Sequence, residues 1–264
     1  MSYSKLNVAC VVDRNYLVYA TGLYLSAKAT LGNFTFHLNT VNTVDTTWFE
    51  QQKDVCVYPT TVDLPTLAPV DRGEYDNEFL LHFDKSESPK ITPLAAYCNN
   101  IRFEFASRLL ANGVDNLLLL DADMLFNRDV SHLKFSVKEH LALQSYIDNG
   151  ATRYCVEFLF IKNKPETVRL FNDLATQVHT KQGIYKWGHA KFFAEMVDSA
   201  TYISKLLVSD FYRDSLYRSF SYIWTGEDYR KQQRLCDQLH QTGYLDKLKL
   251  LLRDAGLSSL YPNK

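Results

Sequence analysis

Two acidic residues follow directly on the most apolar short run of the sequence. The run Leu117–Leu120 consists only of leucine and leads into Asp121 and Asp123, which one alanine separates. Such a run is typical of a strand buried on both faces of a parallel sheet, and the carboxyl ends of these strands form the ligand-binding edge of open α/β sheets. On an extended backbone, carboxylates two residues apart project to the same side. The spacing therefore predicts that Asp121 and Asp123 bind one divalent cation, Mn²⁺ or Mg²⁺, together with the oxygens of a diphosphate.

A second polar turn follows the first predicted strand. Residues 6–12 are apolar and β-branched, and the turn 13–16, Asp-Arg-Asn-Tyr, comes immediately before a helical pattern over 16–31. Strand, polar turn and helix open a nucleotide-binding α/β unit, and this turn would lie at the same sheet edge as the acidic pair. Asp13 and Asn15 either belong to a nucleotide site or only cap the helix, and the segment by itself favours the cap.

Other side chains are candidates because of where they lie in the predicted elements. Arg102 is predicted in the first turn of a helix, which is unfavourable for a cation, so we expect an anionic partner. Glu157 is the single acid in the apolar strand predicted over 154–161, where it faces either solvent or a site. His189 begins a predicted helix and is most simply a capping or surface histidine. A cationic run near the C-terminus contains Arg230 and Lys231.

The elements that must position these residues alternate between strand and helix. Strands are predicted over 6–12, 34–38, 54–58 and 117–126, and helices between them give the βαβ alternation of a doubly wound sheet. The segment 59–93 is rich in proline and acidic residues without a clear period, so it is either a surface excursion or a mobile lid. The last predicted element is a helical tail over 235–252, broken at Gly243.

The composition of the chain limits the classes of protein to which it can belong. The chain has 264 residues, of which 46% are hydrophobic and 22% charged, so it can bury a sizeable core. A formal net charge of -1 gives no overall electrostatic reason to expect a nucleic-acid partner. Five cysteines without close spacing argue against a disulfide framework or a zinc site. Without a signal peptide or an apolar run of membrane-spanning length, the chain is expected to be cytoplasmic.

Taken together, these stretches resemble the GT-A glycosyltransferases of the family that contains glycogenin and the bacterial lipopolysaccharide galactosyltransferases. The family's Asp-x-Asn-Tyr turn corresponds to 13–16, and its Leu-Asp-x-Asp motif matches 120–123. Its Tyr-x-Arg-Leu segment falls on 100–103, with Asn100 in place of the tyrosine. The resemblance covers about the whole chain in order and spacing. It implies a Rossmann-like, doubly wound mixed sheet of GT-A type, with helices on both faces and a helical C-terminal tail.

The resemblance also implies roles for the donor-side residues. Asp121 and Asp123 would hold the metal ion and act in catalysis. A third metal ligand, a histidine in the family, aligns with Ile223. A lysine that contacts the leaving diphosphate aligns near Tyr229, where basic residues follow. The residues implied to bind the nucleotide are Asp13, Asn15, Tyr16, Arg102, Arg230 and Lys231.

Two further family motifs are replaced in this sequence. The Asn-Ala-Gly strand falls on 155–157 and the Asp-Gln pair on 189–190. Glu157 and His189 are therefore candidate catalytic residues near the sugar or the acceptor hydroxyl, as a base or a hydrogen-bond partner. The resemblance implies that the transferred sugar retains its anomeric configuration.

The resulting prediction is a metal-dependent glycosyltransferase that moves a sugar from a nucleoside diphosphate sugar to an acceptor hydroxyl. The expected donor is a UDP-sugar, since uridine is the usual base in the family. One domain over 1–264 is expected, with a nucleotide-binding half over 1–130, a sugar and acceptor half over 131–226 and a tail over 227–264. The acceptor stays open between a glycan, a protein, a lipid-linked glycan and a modified nucleic-acid base. Two alternatives are a non-catalytic or hydrolytic sugar-nucleotide-binding protein, and a phosphatase or phosphotransferase with Asp121 as nucleophile.

Overall fold

A central mixed sheet organises the molecule. The computed structural model describes residues 5–43, 45–63, 70–71, 90–148, 150–182, 189–226 and 236–261. Within these ranges the strands are β1 Leu6–Asp13, β2 Phe34–Val41, β3 Val55–Thr60, β4 Val70–Asp71, β5 Lys90–Ile91, β6 Leu117–Leu120, β7 Met124–Phe126, β8 Leu141–Asp148, β9 Ala151–Ile161, β10 Lys205–Leu207 and β11 Ile223–Thr225. The α-helices are α1 Leu17–Thr30, α2 Thr47–Glu50, α3 Pro93–Ala111, α4 Leu133–Ser136, α5 Pro165–Gln177, α6 His189–Ser199 and α7 Tyr244–Asp254.

The large sheet has seven strands in the order β10-β8-β9-β6-β1-β2-β3. Strand β1 pairs in parallel with β2 and β6, and β2 pairs in parallel with β3. Strand β9 runs antiparallel to both β6 and β8. The mixed, doubly wound sheet that the sequence predicts is confirmed, and β9, beside the leucine strand β6, is the strand that runs in the opposite direction.

The leucine strand β6 is buried on both faces. Leu117 and Leu119 belong to a core cluster with α3, α5 and α6, whereas Leu118 and Leu120 belong to a second cluster with α1 and α2. Period-two alternation explains this division, because successive side chains of a strand point to opposite faces. Helices therefore cover both faces of the sheet, as predicted.

Two predictions about local structure are wrong in detail, and one strand was not predicted. Helix α3 begins at Pro93, so Arg102 lies in its third turn and the helix-dipole argument does not apply to it. The strand predicted over 117–126 is two strands, because the chain turns at 121–123 before β7 begins. β11 was not predicted at all, and it pairs antiparallel with β7 in a separate two-stranded sheet. Most of the segment 59–93, predicted as a surface excursion or a mobile lid, lies outside the described residues.

Helix α7 forms a third layer beside the acidic turn. Tyr244, Leu248 and Leu252 pack with Leu125 of β7 and Trp224 of β11. The tail helix was predicted to be broken at Gly243, and that residue is the N-cap of α7. None of the described helices is long and apolar enough to cross a membrane.

Candidate active site

The turn after β1 is held by a carboxylate cap. Asp13 is only 8% exposed, and its Oδ1 accepts hydrogen bonds from the backbone N–H groups of Asn15 (2.8 Å) and Tyr16 (3.1 Å). Of the two interpretations of this turn, the structure shows the cap directly. Asn15 and Tyr16 themselves remain exposed, with 49% of Tyr16 accessible. They lie at the carboxyl end of β1, which is where an open α/β sheet binds ligands.

Arg102 connects α3 to the acidic turn. The side chain is 4% exposed, and its Nη2 forms an ion pair with Asp121 Oδ1. Its Nη1 donates to the carbonyl of Val156 on β9 at 3.0 Å. The expected anionic partner of Arg102 is therefore Asp121, although the dipole argument that led to the expectation was wrong. These two contacts connect α3 to the acidic turn after β6 and to β9.

Asp121 and Asp123 lie in a turn between β6 and β7. The prediction of an extended backbone at this position is wrong, so strand alternation does not place the two carboxylates on one side. The backbone oxygen of Asp123 accepts a 2.6 Å hydrogen bond from the N–H of Gly226, just after β11. A Cβ atom at Gly226 would lie 2.9 Å from that same oxygen and 3.0 Å from the Asp123 Cβ. Glycine is thus needed for this close approach.

Burial perturbs the ionisable groups around the turn. It raises the pKa of the Cys98 thiol to about 12, with a smaller contribution from the nearby charge of Asp13. Burial also raises the pKa of Tyr244, and the charge of Asp123 adds to the effect. Both groups are therefore neutral at physiological pH.

Glu157 lies in an irregular part of β9 beside the acidic turn. Leu143 pairs with Leu159 but Ser145 pairs with Tyr154, so β9 bulges between these two pairs. Within the bulge, the backbone oxygen of Glu157 accepts a hydrogen bond from the backbone N–H of Asp121 at 3.2 Å. Glu157 lines a pocket of about 360 Å³, and its assignment to a functional site stays a prediction.

The loop before β11 supplies the other wall of this pocket. Arg213 Nη2 lies 3.9 Å from Glu157 Oε1. Asp214 is buried, and its two carboxylate oxygens accept hydrogen bonds from the backbone N–H groups of Leu216 and Arg218. Arg213 and Asp214 are not among the candidates that the sequence suggests, and they lie in the loop between β10 and β11. No short-range signal marks them, since only the tertiary fold brings the loop against β9.

The remaining candidates differ in how far the structure describes them. His189 is the first residue of α6 and is 6% exposed, so its interpretation as a surface histidine is wrong. The next residue, Ala190, lines the pocket that contains Glu157. Arg230 and Lys231 lie outside the described residues.

The predicted metal ligands are the carboxylates of Asp121 and Asp123. Among the described parts of the chain, no group of three or more histidine, cysteine, aspartate or glutamate side chains is arranged to hold a metal. One oxygen of Asp121 is engaged by Arg102. Two carboxylates do not make a complete protein cage, but they fit a cation that shares its coordination shell with substrate phosphates.

Comparisons with known proteins address the fold. No protein-family model and no curated protein matches the sequence. The structure is similar to that of the glycosyltransferase GlyE from Streptococcus pneumoniae TIGR4, with a TM-score of 0.57 and 12% identity over 98% of this chain and 66% of GlyE. It is also similar to the galactosyltransferase LgtC in complex with donor and acceptor sugar analogues, with a TM-score of 0.52 and 11% identity over 83% of this chain and 86% of LgtC. This chain therefore spans about two thirds of the length of GlyE, and its fold is the GT-A glycosyltransferase fold that the resemblance predicts.

Proposed function

We propose that this chain is a glycosyltransferase that moves a sugar from a nucleoside diphosphate sugar, with UDP-sugar as the first donor to test, to an acceptor hydroxyl. One observation carries the proposal. In a GT-A fold, the acidic turn 121–123 lies at the carboxyl edge of the sheet, bound to Arg102 and adjacent to the pocket that contains Glu157. This arrangement provides a place for a diphosphate next to a place for an acceptor. The predicted cytoplasmic setting belongs to the same proposal.

The nucleoside would lie against the turn after β1. Tyr16 is half exposed and its ring contacts that of Tyr19, with centroids 5.5 Å apart, so it offers a surface for a flat base. Asp13 uses Oδ1 for the cap, and Oδ2 would serve the ribose. Asn15 is exposed beside them.

A divalent cation, Mn²⁺ or Mg²⁺, is part of the proposal. Asp121 and Asp123 would hold it together with diphosphate oxygens, the arrangement in which one or two carboxylates are sufficient. When bound, it would neutralise charge on the diphosphate leaving group. Arg102 would hold the Asp121 carboxylate in place through the ion pair. Arg230 and Lys231 remain predicted to help neutralise the same leaving group.

In the transfer, the acceptor hydroxyl oxygen bonds to the anomeric carbon. The bond from that carbon to the diphosphate breaks, and the nucleoside diphosphate leaves with the electron pair. Glu157 is our candidate to accept the hydroxyl proton, with Arg213 beside it to orient its carboxylate. His189, at the start of α6, is the candidate hydrogen-bond partner of the sugar or the acceptor.

Calorimetric titration with UDP, GDP and their sugars, with and without Mn²⁺, tests the donor site. We expect one nucleotide to bind only when Mn²⁺ is present, and we expect Asp123→Ala to abolish that binding. Asp129→Ala is a matched control, because Asp129 is an exposed acid nearby whose Oδ1 only caps the backbone N–H of Ser131. If no nucleotide binds with any metal, the glycosyltransferase proposal is wrong.

One alternative has support in the described residues. They provide two acidic ligands and no group of three, which is compatible with a protein that binds a sugar nucleotide without transferring the sugar. Metal-dependent binding without transfer or hydrolysis would identify that function. A phosphatase with Asp121 as nucleophile is disfavoured, because the carboxylate of Asp121 is already paired with Arg102.

A further inference from the structure

The pocket beside the acidic turn has an unusual charge balance. Its walls carry the carboxylates of Glu157, Asp210 and Asp214 and the guanidinium groups of Arg213 and Arg218. Each guanidinium already lies 3.9 Å from a carboxylate of the same pocket. The carboxylates outnumber the guanidinium groups by one, and both guanidinium groups lie near carboxylates, so charge complementarity disfavours an anionic ligand in this pocket. A lipid diphosphate or an acidic sugar is therefore a poor match for it.

An aromatic pair lies at the rim of this pocket. Phe211 and Phe220 are 40% and 50% exposed, and their ring centroids are 4.9 Å apart with the planes nearly perpendicular. Arg218 links the pair to the pocket, because it lines the pocket while its Cζ lies 5.6 Å from the centre of the Phe211 ring. We call Phe211 and Phe220 the aromatic platform.

Hydrogen bonds fix the backbone of both residues of the aromatic platform. The carbonyl of Phe211 accepts a hydrogen bond from the N–H of Tyr222 at 2.8 Å, and that of Phe220 accepts one from Arg128 Nη1 at 2.9 Å. The ring contact and the fixed backbone reduce the conformational entropy that the pair loses when a ligand packs on it. Exposed rings of this kind next to a polar pocket are therefore suited to ligand binding.

A neutral carbohydrate can contact both the polar pocket and the aromatic platform. Sugar hydroxyls donate to carboxylates and accept from guanidinium groups, while the C–H face of a pyranose ring packs on an aromatic ring. Resting on the proposed transferase function, we propose that the acceptor is an uncharged oligosaccharide. Its terminal sugar occupies the pocket at Glu157, and the preceding sugar stacks on the aromatic platform.

Binding of oligosaccharides to the full chain without nucleotide tests this assignment independently of the donor site. The probes are lactose, maltotetraose and chitotetraose, with sialyllactose as the anionic counterpart of lactose. We expect at least one neutral probe to bind, and sialyllactose to bind more weakly than lactose. The double variant Phe211→Ala with Phe220→Ala should lose about fivefold or more in affinity. Phe135→Ala is the control, because Phe135 is 59% exposed and lies in α4, outside the pocket and the platform.

Several outcomes would overturn the assignment. These are the absence of binding by every neutral probe, equal or tighter binding of sialyllactose, and equal loss of affinity in Phe135→Ala. Platform-dependent binding only to anionic lipid vesicles would identify the rings as a membrane contact instead. Donor binding is measured separately with UDP and Mn²⁺, so failure of the donor site and failure of the acceptor assignment can be distinguished.

Discussion

At the scale of single residues, the site depends on one ion pair between distant parts of the chain. Arg102 is buried, and Asp121 keeps about a quarter of its side chain exposed, with relative values of 4% and 27%. Loss of one partner leaves the other charge uncompensated in a poorly solvated place, which destabilises a protein more than removal of the whole pair. The pair therefore fixes the carboxylate that the proposed metal ion would use, and it makes that carboxylate sensitive to changes in α3.

Gly226→Ala tests whether the position of Asp123 matters for ligand binding. The added Cβ would lie 2.9 Å from the Asp123 backbone oxygen, so the acidic turn must shift. Small displacements in a preorganised site are costly, and we expect the affinity for UDP with Mn²⁺ to fall about tenfold or more. Titration calorimetry on the variant measures the change.

Gly32→Ala provides the matched control for this substitution. A Cβ at Gly32 would meet no atom within 4 Å, so nucleotide affinity should be unchanged. Equal affinity in Gly226→Ala and the unmodified chain would show that the close approach at Asp123 has no role in binding.

At the scale of elements, a buried histidine joins three neighbouring strands. His37 on β2 is 5% exposed, and its Nε2 and Nδ1 lie 3.0 Å from Asn7 Oδ1 on β1 and 3.1 Å from Tyr58 Oη on β3. Burial lowers the pKa of His37 to about 4, and the positive charge of Lys5 lowers it further. Strand β1, which carries Asp13, and its neighbours β2 and β3 are thus coupled to one titratable group.

This coupling predicts acid sensitivity of the fold. Between pH 6.5 and about 4 the unfolded chain binds a proton at His37 that the folded chain does not, so the free energy of unfolding falls as the pH is lowered through this range. The loss should amount to roughly 2–3 kcal/mol. Urea denaturation from pH 7 to pH 4 measures it, and His37→Gln should show a flatter dependence.

His132→Gln is the histidine control, because His132 contacts Tyr212 at 2.8 Å at an exposed site rather than between strands. It should keep the pH dependence of the unmodified chain. If His37→Gln and the unmodified chain give parallel curves, His37 does not carry the effect.

At the scale of the whole molecule, the C-terminal helix α7 packs against β7, the strand that follows the acidic turn. A Cβ at Gly22 of α1 would lie 2.3 Å from Leu248 Cδ1, so the two helices α1 and α7 are in close contact there. Lys247 donates to the carbonyl of Phe126 (2.9 Å) and to Asn127 Oδ1 (3.0 Å), and its Nζ lies 4.4 Å from the centre of the Trp224 ring. Ligand binding at the turn is therefore expected to stabilise the molecule as a unit.

Thermal unfolding tests this expectation. A ligand present at one hundred times its dissociation constant stabilises the folded state by about 2.7 kcal/mol. For a chain of this size, UDP with Mn²⁺ should then raise the midpoint by about 5–10 °C. Asp123→Ala should show no such shift, whereas an equal shift in that variant would place the ligand elsewhere.

The sequence by itself determined the class of fold and the sheet edge at which the candidate residues Asp13, Asp121 and Asp123 lie. Apolar runs such as Leu117–Leu120 and the alternation of strands and helices are local patterns, and burial on both faces of a sheet follows from them. The cap at Asp13 was likewise predictable, because it depends on residues that are neighbours in the chain. The roles proposed for the individual site residues stay predictions.

Only the tertiary structure decided which distant side chains meet. The partner of Arg102, the approach of Gly226 to Asp123 and the position of Arg213 beside Glu157 each join residues from separate elements. The bulge in β9 turns Glu157 into the pocket, and no pattern in that strand marks it. The physical reason is that packing and strand register, rather than local preference, choose among the many contacts that the same sequence allows.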